Sequence, residues 1–183
     1  MQTFFVMALL ISASAFLSMS EIALAAARKI KLKLMSESGD SNASKVLQLQ
    51  DQPSGFFAAS QIGLNAIAIL GGILGEAAFT PYFAELIGYV YQGSALKTIA
   101  FVCSFVFVTL LFILFADLMP KRLAITSPEK VATTLISPLL LFTSLFKPLT
   151  YVINGLSNLI FRIFKINTIR DDQITFDDVY AVV

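Results

Sequence analysis

The chain has 183 residues, of which 57% are hydrophobic and only 14% are charged, and its formal net charge is +1. Its mean hydropathy of +0.80 lies outside the range of soluble domains and predicts an all-α membrane protein. The sequence has no His, no Trp and a single Cys, which excludes Cys–His and Ser–His catalysis and metal–imidazole sites within this chain. With no phosphate-binding glycine loop either, we expect neither an enzyme nor a cofactor in this chain, and no nucleic-acid partner.

The first apolar window, residues 1–27, predicts a transmembrane helix that carries Ser14, Ser18 and Glu21 on one face. A cleaved signal peptide is the alternative, but the stretch lacks a basic start, and Glu21 interrupts the approach to the small-residue segment 23–27. Four basic residues follow the helix. The positive-inside rule therefore predicts that the N-terminus is outside and the C-terminus is cytoplasmic.

Residues 34–51 are polar and contain good helix formers. Asp40 or Ser41 can cap a short helix there, and Pro53 ends it. We expect this segment to be part of a cytoplasmic helical hairpin.

The second membrane segment is predicted over residues 56–79. Gln61 and Asn65 lie one helical turn apart, where they can either contact a ligand or join helices by hydrogen bonds. Glu76 is expected near the outer membrane interface. Small residues that permit close helix packing, within or between subunits, are Gly71, Gly72 and Gly75.

The third span is predicted over residues 99–119, after a loop at 80–98, and it contains Asp117. A carboxylate on an apolar helix is costly and is retained where it faces protein or water. Pro120 has no N–H to donate, so we expect it to break the helix and leave the Ala116 carbonyl free beside Asp117. These oxygens suit a cation. A structural ion pair with Lys121 is the alternative role for Asp117.

Residues 131–166 are apolar again, and Pro138 and Pro148 are expected to break them into shorter helices. If this segment crossed the membrane, basic residues would accumulate on the wrong side. We therefore predict three transmembrane helices and a juxtamembrane belt helix in the inner leaflet, with a fourth span as the alternative. The domain boundaries follow as a transmembrane domain at 1–166 and a linker at 167–183.

A polar pocket is predicted where the three spans meet. Two of its carboxylates, Glu21 and Asp117, could bind a ligand with two ammonium groups or one divalent ion. Glu21 could instead pair with Arg28 or Lys29. The candidate substrate-binding residues are Asp117, Glu21, Ser18, Asn65, Gln61 and Ala116.

Three motifs carry a resemblance to the CNNM/CorC family: FLSMSE in the first helix, QIGLNAIAILGG in the second and FADLMPKRLA after the third. Within that family the chain is similar to the bacterial branch that exports putrescine and cadaverine. The resemblance covers essentially the whole chain and implies a homodimer. It also implies that a pair of nucleotide-sensing CBS domains, outside this chain, follows the linker.

The resemblance also implies a site. Family members that transport Mg²⁺ bind the ion through a first-helix Ser, matched by Ser18, and a carboxylate, matched by Asp117. Their second-helix asparagines are replaced here by Leu64 and Ala68. Losing two amide oxygens disfavours Mg²⁺, which demands octahedral oxygen coordination.

These observations predict an exporter of putrescine and cadaverine in the bacterial inner membrane. A transporter of Mg²⁺ or another divalent cation, with Asp117 and Ser18 as metal ligands, is the first alternative. A membrane-anchored regulatory module linked to CBS domains is the second.

Overall fold

The computed structural model describes residues 2–164, and all the regular structure within that range is helical. The elements in chain order are α1 (Gln2–Ala26), α2 (Lys29–Glu37), α3 (Ser41–Asp51), α4 (Ser54–Gly88), α5 (Leu96–Leu111), a π-helical segment (Phe112–Leu118), α6 (Met119–Thr126) and α7 (Pro128–Ile163). The predicted linker at 167–183 lies outside the described residues. The chain divides into two compact units, residues 1–147 and 148–183.

Within the first unit, the long helix α4 lies between α1 and α5 and packs against both. The helices α2 and α3 pack against each other. Asp40 caps α3 as predicted, since its Oδ1 accepts hydrogen bonds from the N–H of Asn42 (2.9 Å) and of Ala43 (3.4 Å). Gly39 precedes this cap with a φ of +101°, a backbone conformation that favours glycine.

A hydrophobic core forms where the short helices meet the ends of the long ones. Its largest buried side chains include Phe56, Leu32, Val46 and Ile136, each with 0% of its surface exposed. These residues come from α4, α2, α3 and α7. Burial of these apolar side chains holds the polar helices α2 and α3 against the apolar helices α4 and α7.

An ion cluster joins the start of α7 to the end of α1. The side chain of Glu129, only 3% exposed, accepts a hydrogen bond from Arg28 Nε (3.4 Å) and from Lys31 Nζ (3.0 Å). No sequence pattern distinguishes Glu129 as a buried residue. A carboxylate one residue after Pro128 reads as an ordinary first-turn residue of a helix, and its partners lie about 100 positions earlier.

Four helical stretches are long and apolar enough to cross a membrane by length and composition: Gln2–Ala26, Ser54–Gly88, Leu96–Thr126 and Pro128–Ile163. The first three match the predicted spans, although α4 extends nine residues beyond the predicted end at residue 79 and shortens the predicted loop. The count of three is not confirmed, because α7 also qualifies. A belt location for α7 stays a prediction.

The predicted breaks at Pro138 and Pro148 are wrong, because α7 is helical from Pro128 to Ile163. Pro81 likewise lies inside α4. A proline removes one backbone hydrogen bond. In apolar surroundings, however, the remaining N–H and C=O groups have no water to bind, and they form hydrogen bonds only if the chain stays helical. Apolar helices therefore tolerate prolines that would end a helix in water.

The glycines of α4 differ in what surrounds them. A Cβ on Gly71 would overlap the ring of Phe112, and a Cβ on Gly75 would overlap Val108 and Met7. Gly72, by contrast, has open space where a Cβ would lie. Two of the three predicted packing glycines thus contact other helices of the same chain, and the third does not.

We expect Gly71→Ala to lower the free energy of unfolding by about 1 to 3 kcal/mol, because the added methyl group forces the Phe112 ring to move. Gly72→Ala is the matched control and should be neutral or slightly stabilising, since alanine is the better helix former. Thermal unfolding of both purified variants measures the difference. Equal unfolding temperatures would contradict the packing of Phe112 on Gly71.

Candidate functional site

The π-helical segment positions the candidate site. Over Phe112–Leu118 the backbone hydrogen bonds span five residues instead of four, as in the bond from Met119 N–H to Leu114 O. Pro120 lies in the first turn of α6, directly after the π-helical segment, so the chain stays helical there although the regular α-helical pattern is interrupted just before the proline. The Ala116 carbonyl was predicted to be free because Pro120, four residues later, has no N–H to donate. That argument assumes α-helical hydrogen bonds, which span four residues, and such bonds are not the pattern of this segment.

Asp117 makes two contacts, both through Oδ1. Ser18 donates its hydroxyl to this oxygen at 2.8 Å, and Lys121 Nζ lies 2.6 Å from it. Ser18 is fully buried, whereas the side chains of Asp117 and Lys121 are 44% and 32% exposed. Among residues 2–164, no donor forms a hydrogen bond with Oδ2. The carboxylate therefore has one oxygen fixed by the protein and one available.

A cavity of about 260 Å³ lies beside Asp117. Its volume corresponds to several water molecules at roughly 30 Å³ each. Polar groups in its lining come from three parts of the chain: Ser14 from α1, Asn65 from α4 and Asp117 from the π-helical segment. The remaining lining residues are Leu64, Ala68, Phe112, Ile113 and Ala116.

Glu21 and Gln61 form a separate pair. Gln61 Nε2 donates to Glu21 Oε1 at 3.1 Å, and neither residue lines the cavity. Gln61 precedes Asn65 by four residues, which places the pair about 6 Å along α4 from the cavity lining. The suggested pairing of Glu21 with Arg28 or Lys29 is not observed, because Arg28 contacts Glu129 and Lys29 contacts Asp51.

The structure thus brings four of the six candidate residues together: Asp117, Ser18, Asn65 and Ala116. The other two, Glu21 and Gln61, contact each other one helical turn away. Leu64 and Ala68 line the cavity, at the positions where the family resemblance implies asparagines. Phe112 and Ile113 were not predicted, since nothing but the following Pro120 in the sequence signals a π-helical stretch.

The cavity has a polar side and an apolar side. Among the described lining residues Asp117 is the one carboxylate, and Lys121 already pairs its ammonium with that group. The amide of Asn65 and the hydroxyl of Ser14 can each accept a hydrogen bond. This arrangement is suited to a small organic cation whose charged end binds oxygen and whose carbon chain contacts Leu64 and Phe112.

Removing the Ser18 hydroxyl should destabilise the protein. We expect Ser18→Ala to cost about 1 kcal/mol of unfolding free energy, because Asp117 loses a hydrogen bond inside the helix bundle. Ser12→Ala on the same helix is the control, since Ser12 bonds only to the Ala8 carbonyl of its own helix and is exposed. Thermal unfolding of both variants tests this, and equal effects would contradict a structural contribution of the Ser18–Asp117 bond.

Comparison with known proteins identifies the family. Residues 5–183 match the family described as "CNNM: Cyclin M transmembrane N-terminal domain". The chain is 50% identical over 183 residues to a protein of Salmonella typhimurium named "Polyamine export protein", covering 100% of this chain and 41% of the relative. Proteins of the same name from Escherichia coli K12 and Haemophilus influenzae are 50% and 44% identical over 174 residues, covering 95% of this chain and 39% and 40% of theirs.

The chain spans about two fifths of the length of these curated relatives. The family match nevertheless covers nearly the whole chain, and its description agrees with the four helical stretches that are apolar and long enough to cross a membrane. The chain is a multi-pass membrane protein that belongs to the Cyclin M (CNNM) transmembrane family.

Proposed function

We propose that this protein exports the diamines putrescine and cadaverine across the bacterial inner membrane, and that Asp117 binds one ammonium group of the substrate. The observation that carries the proposal is the cavity in which the Asp117 carboxylate lies with Asn65 and Ser14 among apolar side chains. The name of the relatives that are 44% to 50% identical supports a polyamine as the substrate.

The ion pair of Asp117 with Lys121, the alternative role that the sequence offered for this carboxylate, is present in the structure and is compatible with an ammonium ligand. Lys121 Nζ contacts Asp117 Oδ1 at 2.6 Å, so the carboxylate already accepts the kind of group that each end of a diamine carries. A substrate ammonium can bind the other carboxylate oxygen or take the place of Lys121. Ammonium groups offer three donors and accept varied oxygen geometry, so they do not require a rigid coordination shell.

Glu21 is the second anchor in this proposal. It is held by Gln61, about one helical turn of 5.4 Å from the cavity. The two ends of an extended diamine would therefore bind about one helical turn apart along α4. One ammonium would bind Asp117 with Asn65 and Ser18 nearby, and the other would bind Glu21.

The surrounding assembly is also part of the proposal. The N-terminus lies outside and the C-terminus in the cytoplasm, with α2 and α3 forming a cytoplasmic hairpin and α7 a belt along the inner leaflet. Two copies form a homodimer. Residues 167–183 lead toward CBS domains, which would be the nucleotide-binding part of the protein.

Mg²⁺ transport is the second candidate, and the pairing of Ser18 with Asp117 favours it, because the family resemblance assigns ion binding to these two positions. The side chains that line the cavity favour the diamine instead, because they offer too few oxygen ligands for Mg²⁺. Leu64 and Ala68 supply only hydrocarbon where two amide oxygens would be needed, and Mg²⁺ takes six oxygen ligands in near-ideal octahedral geometry.

Ligand-dependent stabilisation of the intact protein distinguishes the candidates. A ligand at 100 times its Kd stabilises the folded state by about 2.7 kcal/mol. We expect putrescine and cadaverine to raise the unfolding temperature, and Asp117→Asn to abolish this rise because it removes the negative charge while keeping the side-chain shape. Asp51→Asn is the control, since Asp51 is an exposed carboxylate that contacts Lys29 on the short polar helices.

Each result has a definite meaning. A rise with Mg²⁺ alone, lost in Asp117→Asn, would return the protein to divalent-cation transport. No rise with either ligand would favour the regulatory module. A diamine effect that survives Asp117→Asn would remove Asp117 from the substrate site.

Lys121 provides an independent prediction. If its ammonium competes with the substrate, Lys121→Met should tighten diamine binding about tenfold, which corresponds to one hydrogen bond to a charged group. Lys130→Met is the control, because Lys130 is an exposed residue of α7. Calorimetric titration with putrescine measures the effect, and weaker binding by Lys121→Met would contradict competition.

A further inference from the structure

A further carboxylate of the apolar helices lies in a groove beside the Asp117 cavity. Glu76 lines a groove of about 290 Å³ between α4 and α5. Its Oε1 accepts a hydrogen bond from Thr80 at 2.6 Å, and its backbone carbonyl accepts one from Ser104 at 3.1 Å. Two aromatic rings of α5, Phe101 and Phe105, also line the groove and stack with their centroids 6.4 Å apart.

This groove adjoins the Asp117 cavity. Ala68 lines both, so that the two spaces meet at one residue of α4. From there Gly72 and Glu76 follow at intervals of four residues on the same helical face, and Asn65 precedes Ala68 by three. The small side chains of Ala68 and Gly72 leave room along this face, and Gly72 has nothing within 4 Å of where a Cβ would lie.

Glu76 lies well away from Asp117 along the bundle. Gly75, next to Glu76, packs against Met7 of α1. Asp117 accepts a hydrogen bond from Ser18, which also lies on α1. Eleven residues of α-helix separate Met7 and Ser18, or about 16 Å. The groove therefore extends from the Asp117 cavity toward the N-terminal end of α1.

The chemistry of the groove favours an ammonium ion. A carboxylate in an apolar helix is retained where it faces protein or water, and Glu76 contacts Thr80 and faces the groove. Ring faces attract organic cations, and the stacked pair of Phe101 and Phe105 supplies two of them. In the described part of the groove, no Lys or Arg contributes to the lining, and the carboxylate gives it a negative charge.

We propose that Glu76, Phe101 and Phe105 form a second binding site for primary ammonium groups, which receives the diamine from the Asp117 cavity along the face formed by Ala68 and Gly72. This inference rests on the proposed function and adds a route to it. In an exporter whose N-terminus lies outside, Glu76 is the first carboxylate of α4 on the outward path, and Glu85 is the second.

Efflux and binding, measured on the intact protein, test the route. Efflux of radiolabelled putrescine is followed from cells, and stabilisation by putrescine is followed on the purified protein. We expect Glu76→Gln to slow efflux about tenfold, as loss of a hydrogen bond to a charged group implies, and to leave the stabilisation through Asp117 in place. Glu76→Asp keeps the charge and should restore part of the rate.

A blocking substitution supplies the matched control. Gly72→Leu should fold, because the position is open, and should slow efflux by filling the passage between the two sites. Gly55→Leu lies on the same helix, also with nothing within 4 Å of its Cβ position, and should transport like the parent protein.

Opposite results would overturn the inference. If Glu76→Gln and Gly72→Leu both transport like the parent while Asp117→Asn does not, the route is wrong and the Asp117 site stands. If Asp117→Asn also transports like the parent, the proposed function fails together with the route. Equal losses in Gly72→Leu and Gly55→Leu would assign the effect to helix packing and likewise overturn the route.

Discussion

The rest of the site depends on holding the Asp117 carboxylate at the edge of an apolar bundle. A carboxylate on an apolar helix is costly and is retained where it faces protein or water. The protein stabilises it with a buried hydroxyl from α1 and an ammonium one turn further along its own helix, both on a single oxygen. The second oxygen remains available, so the stabilising contacts leave part of the carboxylate free to bind a cation.

The π-helical segment links this constraint to the packing around it. An extra residue per turn changes the direction of every side chain that follows, and here it precedes Pro120, whose missing N–H a wider turn can accommodate. The ring of Phe112, at the start of the segment, lies against Gly71 of α4. Backbone geometry, the proline and a glycine on another helix therefore act together to place Asp117 beside the cavity.

Much of the fold could be predicted because apolar length and helix capping are local properties. The first three spans and the Asp40 cap belong to this group. The behaviour of the prolines could not, since the rule that proline ends helices describes chains in water, whereas Pro81, Pro138 and Pro148 lie within apolar helices. In the site, the charged and polar residues of each helix were apparent from helical spacing. The separation of Glu21 and Gln61 from the cavity depends on how far the helices are shifted along each other, which no single-helix pattern contains.

The ion cluster at Glu129 has a mechanical consequence. Its buried carboxylate bonds to Arg28, immediately after α1, and to Lys31 in α2, while the residue itself begins α7. Pulling these helix ends apart would leave a buried negative charge without its counterions, which is costly. The segment after α1, the first turn of α2 and the first turn of α7 are therefore held together by one ion cluster. Moving α7 away at this point would break these contacts, unless α1, the helix that carries Ser18, moved with it.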